Sequence, residues 1–204
     1  QDRTREHLGT SDKIIMANRR VLSKAIATVQ EGGVAPGIAD AAQALPRWAA
    51  MPVTARANIL RKAAELMGKR RAELAAWICL EAGKPWREAD ADVAEAMDFC
   101  RYYALQAEAW LRPRHRDVPG EDNQMLHEPR GVAAVIPPWN FPLAIPCGMA
   151  TAALAAGCPV ILKPAEQTPV VGALLVEILH QAGVPTDVLH YLPGIGEEIG
   201  PVLV

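Results

Sequence analysis

GVAAVIPPWNFPLAIPCGMATAALAAGCPVILKPAE, Gly131 to Glu166, carries no charged side chain before Lys163. Val132–Ile136 is a short apolar run rich in β-branched residues, and Pro159–Leu162 is a second. Between them an Ala-rich segment, 142–157, turns helical after Ile145. Strands apolar on both faces that alternate with a helix predict a parallel sheet covered on both sides. The polar groups come just past each strand: Trp139-Asn140 after the first, Lys163 and Glu166 after the second. Open α/β sheets bind ligands at the carboxyl ends of their strands. The pattern therefore brings Asn140, Lys163 and Glu166 to one crevice. A membrane span is excluded, because prolines 137, 138, 142 and 146 and glycines 148 and 157 cut the run into pieces shorter than a bilayer.

After Glu166 the pattern continues. A helix is expected over 170–181, closed by Ala182-Gly183 and Pro185, and a third strand over 187–192. The resulting βαβαβ unit is half of a dinucleotide-binding fold. Pro193-Gly194-Ile195-Gly196-Glu197-Glu198-Ile199-Gly200 follows the third strand. Alone it reads equally as a Gly-rich turn; after such a strand it gains weight as a site element.

Upstream the chain is helical. Thr54 is placed to cap a helix with Ile59, Leu60, Ala63, Leu66 and Met67 on its apolar face. A second helix follows over 71–81 and stops at Gly83-Lys84-Pro85. A long helix over 86–111 has Trp86, Ala89, Val93, Met97, Cys100, Ala104, Ala107 and Leu111 at three- and four-residue spacing. Asp90, Asp92, Glu95 and Asp98 are assigned to its solvated side. A short helix is expected over 39–45, with Pro46 ending or kinking it and Pro36-Gly37 marking a turn before it. Residues 112–130 read as a β-hairpin turning at Pro119-Gly120, with His115 and His127 as surface residues. Residues 1–37 form a separate unit, in which Ser11-Asp12 caps a helix running to Gln30.

The bulk numbers narrow the function. Net charge is −2 from 21 basic and 23 acidic residues, which gives no electrostatic footprint for nucleic acid or an anionic membrane. The four cysteines, 79, 100, 147 and 158, show no C-x-x-C spacing and read as reduced core thiols. No metal site is expected. No signal peptide is visible, so a cytoplasmic protein is expected. Gln1 and Val204 look like cut ends.

LEAGKPWREADADVAEAMDFCRYYA (80–104), IPPWNFP (136–142), LKPAEQTP (162–169) and LPGIGEEIG (192–200) together resemble the N-terminal part of the aldehyde dehydrogenase superfamily. The wording is most similar to that of L-glutamate γ-semialdehyde (pyrroline-5-carboxylate) dehydrogenases, including the domain fused to proline dehydrogenases. Succinate-semialdehyde and betaine-aldehyde dehydrogenases share much of it. The resemblance implies an α/β chain of N-terminal helices plus a truncated Rossmann-like parallel sheet. It divides the chain into helices over 38–111, an oligomerisation hairpin over 112–130 and a partial NAD-binding domain over 131–204. Residues 5–33, REHLGTSDKIIMANRRVLSKAIATVQEGG, instead resemble the C-terminal tail of Rieske-type aromatic-ring oxygenases.

What the family does is then an expectation for this chain. A cysteine thiolate adds to an aldehyde, hydride passes to NAD (or NADP), and water cleaves the thioester with help from a glutamate. The resemblance places Asn140 as an oxyanion donor and makes Lys163 and Glu166 the pair that holds the adenosine ribose. Ile136 and Trp139 would line the cofactor cleft, and Gly196 and Gly200 would let a helix approach the adenine side. Intact members are expected to be homo-oligomers acting on a small aldehyde. The nucleophile segment F-x-x-x-G-Q-x-C and the E-L-G-G-K-like glutamate do not occur in these residues, so the chain reads as a fragment without its catalytic half. The alternatives are a non-catalytic nucleotide-binding or interaction module and an oxygenase-related fusion product.

Overall fold

The computed structural model describes residues 34–203, with side chains from Pro36. Four helices come first: α1 (Val34–Ala50), α2 (Val53–Lys69), α3 (Arg71–Ala82) and α4 (Trp86–Trp110). A hairpin follows, in which β1 (Arg114–His115) pairs antiparallel with β2 (Gln124–Met125). Then come β3 (Ala133–Val135), α5 (Ala144–Ala156), β4 (Val160–Leu162), α6 (Pro169–Ala182), β5 (Leu189–Tyr191) and α7 (Gly196–Leu203). β3, β4 and β5 form a parallel sheet in that order, with Ala133 opposite Val160 and Val160 opposite Leu189. The expected βαβαβ unit is present.

The sheet sits between unequal layers. Val160 and Leu162 face a large core with Leu154 of α5, Leu175 and Leu179 of α6, and Leu60, Met67 and Ile78 of the N-terminal helices. Ile161 points the other way, into a small cluster with Ala41 of α1, Leu192 and Ile199 of α7. The period-two alternation of a strand divides its residues this way. Only central β4 is buried throughout. Ala134 of β3 is exposed, because β3 ends the sheet among the described residues. In α2 and α4 the buried stripes are largely small: Ala57, Ala63 and Ala64 on one, Ala89, Ala96, Cys100, Ala104 and Ala107 on the other. Small side chains let the two helices pack closely.

Several sequence expectations are corrected. Pro36-Gly37 is not a turn but lies in the first turn of α1, where a proline forfeits no intrahelical bond. Pro46 does not end that helix; the last turn is held by Trp48, whose Nε1 donates to the Leu154 carbonyl at 3.1 Å. Thr54 is already inside α2, after Pro52, and does not cap it. Trp86 is the first residue of α4, ahead of the buried stripe, and is 55% exposed. Asp92 is not solvated: it is 1% exposed. The helix expected over 11–30 lies outside the described residues. The four cysteines are free thiols, as expected, with Cys100 and Cys147 Sγ atoms 3.5 Å apart across α4 and α5. The Cys100 thiol beside it, and then burial, push the Cys147 thiol well up. No described helix is long and apolar enough to cross a membrane.

Charged side chains from the N-terminal helices satisfy the ends of the helices that flank the sheet. Buried Arg56 of α2 donates Nε to the Ala155 carbonyl of α5 at 3.1 Å. Its Nη1 donates to the Trp48 and Ala49 carbonyls of α1 at 3.3 and 3.1 Å, and to Met51. Glu81 of α3 accepts from the Val170 and Val171 amides of α6 at 2.7 and 2.8 Å. Asp92 of α4 accepts from the Ala144 amide of α5 at 2.7 Å. Orphan groups at helix ends need such partners when they are buried.

Arg56→Met leaves several buried carbonyls without a donor. It is expected to lower unfolding free energy by about 2–4 kcal/mol at unchanged m value. Arg61→Met, which removes a half-exposed pair with Glu108, is expected to cost under about 1 kcal/mol. Urea unfolding followed by circular dichroism compares the two.

Candidate functional site

The loops after β3 and β4 and the N-terminus of α7 meet at the carboxyl edge of the sheet. They enclose a cleft of about 520 Å³, whose walls include Ile136, Lys163, Glu166, Ile195, Gly196 and Gly200. A smaller apolar cleft of about 190 Å³ adjoins it under Pro164, Pro169, Pro193 and Gly194 and shares Ala165, Glu166 and Ile195.

Lys163 follows β4 directly and is 4% exposed. Its Nζ donates to Glu166 Oε1 at 2.9 Å and to the Pro164 carbonyl at 3.1 Å. The aliphatic stem is buried while the ammonium reaches the cleft. Glu166 is half-exposed. The Lys163 ammonium, then its own backbone N–H, and last the Gly196 N–H at the start of α7 hold its carboxyl below the ordinary value. Gly196 is glycine for a local reason: a Cβ there would lie 3.2 Å from Glu166 Oε1. At Gly200 an added Cβ would meet nothing within 4 Å, so it would project into open space. Gly194, the first glycine of the run after the third strand, is packed closely, since a Cβ there would lie 2.0 Å from Ile199 Cδ1.

Five of the seven expected residues therefore share one cleft: Ile136, Lys163, Glu166, Gly196 and Gly200. Trp139 and Asn140 stand outside its wall, exposed in the loop between β3 and α5. Behind that loop lies the group that the sequence reading missed. The Asp92 side chain has no accessible surface and bonds Lys84 Nζ at 3.0 Å as well as the Ala144 amide. Lys84 Nζ in turn lies 3.8 Å from the centroid of the Phe141 ring. Burial raises the Asp92 carboxyl above its ordinary value against the pull of the Ala144 N–H and of Lys84. A signal for it existed. Asp92 is three residues after Ala89 and four before Ala96, on the apolar stripe itself.

On the hairpin, His115 Nδ1 lies 3.3 Å from Asp122 and 3.7 Å from Asp117, all three exposed. The antiparallel turn makes this cluster from residues whose linear spacing does not announce it.

The profile of the aldehyde dehydrogenase family matches residues 7–204. The chain belongs to the aldehyde dehydrogenase family. The matched span starts ahead of residue 38, where the sequence reading placed the start of the resemblance. The 1-pyrroline-5-carboxylate dehydrogenase of Geobacillus kaustophilus is 43% identical over 98% of this chain and 39% of that protein. That of Bacillus subtilis is 42% identical over the same shares. Among solved structures, 1-pyrroline-5-carboxylate dehydrogenase from Thermus with bound NAD is 46% identical. It superposes with a TM-score of 0.78 over 82% of this chain and 33% of that one. Proline utilization A from Bdellovibrio bacteriovorus, inactivated by N-propargylglycine, is 46% identical at a TM-score of 0.79 over 81% of this chain and 17% of that one. The chain thus spans about two-fifths of the curated relatives it matches, and the fold is a fragment of the aldehyde dehydrogenase fold.

Because Glu166 has a folded value below its unfolded one, its contribution to stability is present above the ordinary carboxylate value. That contribution is lost as pH falls through the depressed folded value. Lys163→Met removes the largest cause of the shift. In a carbon-detected NMR titration the Glu166 midpoint is expected to rise in this variant, and the acid-limb loss of stability due to Glu166 to shrink.

Proposed function

We propose that this chain is the cofactor-binding, N-terminal part of an NAD-dependent aldehyde dehydrogenase whose substrate is L-glutamate γ-semialdehyde. The observation that carries the reading is the Lys163–Glu166 pair at the end of β4, facing the start of α7 across an open cleft. The substrate class rests on the relatives' printed activity, at 42–43% identity.

The residues fit a dinucleotide. Glu166 is an ionised acceptor at the cleft wall, suited to a pair of ribose hydroxyls. Gly196 and Gly200 leave the helix N-terminus free of side-chain bulk, where N–H groups favour anions. Ile136 supplies an apolar surface at the mouth of the cleft. NAD, when bound, accepts the hydride that leaves the substrate carbon. The residues of this chain bind and orient. The Lys163 ammonium keeps Glu166 charged and fixes its position. Asn140, at the end of β3, offers a side-chain amide donor to a carbonyl oxygen that becomes negative as a nucleophile adds. Cys100, Cys147 and Cys158 are buried, and Cys79 sits on α3, so none of the four stands at the cleft as a nucleophile.

Calorimetric titration of the chain with NAD tests the binding role. Glu166→Gln is expected to weaken NAD roughly ten- to hundredfold, the loss of a charged hydrogen bond. NADP is expected to bind less tightly than NAD to the parent, because its 2′-phosphate meets the carboxylate, and Glu166→Gln is expected to narrow that gap. The 204-residue chain is expected to produce no NADH from γ-semialdehyde or simple aldehydes. Turnover that survives mutation of all four cysteines would overturn the assignment. In an enzyme that carries the whole reaction, Asn140→Ala is expected to lower kcat by about 10²–10³ with little change in NAD affinity.

A further inference from the structure

The loop from Pro137 to Leu143 is buried at Pro137, Pro142 and Leu143 but has few polar anchors of its own around Asn140. Pro137, Pro138 and Pro142 have no N–H to donate, and Trp139, Asn140 and Phe141 are exposed. Leu143, which precedes α5, makes no side-chain cap. Behind its exposed middle lies a buried ion pair. Asp92 Oδ1 accepts from the Ala144 amide at 2.7 Å, its Oδ2 accepts from Lys84 Nζ at 3.0 Å, and Lys84 Nζ lies 3.8 Å from the Phe141 ring centroid. Phe141 is the residue directly after Asn140. The two contacts clamp the chain immediately C-terminal to it.

Stability by itself gives a poor account of this arrangement. A buried ion pair carries a desolvation cost that its own attraction roughly offsets, and apolar residues of the same volume often serve as well. A charge pair with two further directional partners does something apolar packing does not: it fixes one orientation. The helix N-terminus prefers a carboxylate, the carboxylate fixes the ammonium, and the ammonium selects the face of one aromatic ring.

We propose that Lys84 and Asp92 are positioning residues that hold Asn140 in place at the carboxyl end of β3, acting through Phe141 and Ala144. The role of Asn140 itself rests on the reading above; the clamp is tested without it. Amide exchange and ¹⁵N–¹H spectra are recorded on the 204-residue chain and on Lys84→Met, Asp92→Asn and Asp92→Glu. Arg71→Met, which breaks the exposed pair between α3 and Asp90 of α4, is the control. In Lys84→Met and Asp92→Asn the Ala144 amide is expected to exchange at least about tenfold faster, and the amide signals of Trp139, Asn140 and Phe141 to shift and broaden. The Asn140 side-chain amide pair, assigned by its disappearance in Asn140→Ala, is expected to shift and broaden. Amides of Ala96–Ala104 in α4 and Val160–Leu162 in β4 keep parental rates. Asp92→Glu restores most of the protection, and the Arg71→Met control leaves the loop as it was. Uniform acceleration along the chain, or a loop unchanged in Lys84→Met, overturns the proposal. Unchanged turnover of an Asn140→Ala enzyme would remove the oxyanion role and leave the exchange result standing.

Discussion

A carboxylate from one helix bonded to the N-terminal amides of another is the contact on which the arrangement of this protein depends. It occurs twice. Asp92 of α4 takes the start of α5, and Glu81 of α3 takes the start of α6. The two helices that receive these caps are the crossovers of the parallel sheet, and each begins where a site loop ends. Neither Leu143 nor Thr168, the residues before them, makes a side-chain cap. An uncapped N-terminus in a protein interior leaves amides without acceptors, and leaving one unpaired costs about 1–3 kcal/mol. The sheet half and the helical half are therefore one cooperative object, joined by polar groups that each half would otherwise leave unsatisfied.

The same logic extends to the opposite ends. Arg56 serves carbonyls at the C-termini of α1 and α5, and the indole of Trp48 serves Leu154. Cations belong at that end of a helix as anions belong at the other. Buried charges are costly unless paired. Here helix termini, one lysine and peptide carbonyls supply the partners. Both Asp92 and Glu81 are nonetheless raised above their ordinary values by burial, so desolvation outweighs the hydrogen bonds they accept. What these groups contribute is placement: they decide where the loops leave the sheet.

The proposed function rests on that placement. Lys163 is buried by β4 and its neighbours yet delivers its ammonium to Glu166, which stays charged beside the start of α7. The cleft is polar on this side and apolar under Pro164, Pro169 and Ile195. A charged carboxylate, a helix N-terminus and an apolar wall meet there, and they come from separate segments of chain.

The sequence by itself determined the sheet and the edge of it at which the cleft lies. Apolar runs at 132–136 and 159–162, an alanine-rich helix between them and polar residues just beyond each strand require a βαβαβ unit with its ligands at one edge, because strand direction and side-chain alternation follow from local chemistry. Lys163 and Glu166 were legible for that reason, whereas Ile136, Gly196 and Gly200 were implied by the family resemblance. Tertiary structure decided what local chemistry leaves open. It decided that Pro46 is tolerated, since the packing of Trp48 outweighs one lost hydrogen bond, and that Trp139 and Asn140 stand outside the cleft wall. It also decided the fate of Asp92. Spacing from Ala89 and Ala96 set it on the apolar stripe of α4, but only the fold brought the N-terminus of a helix 52 residues further along the chain beside it. Its partner is an amide that only the fold brings near, and no pattern in the neighbouring residues encodes that distance.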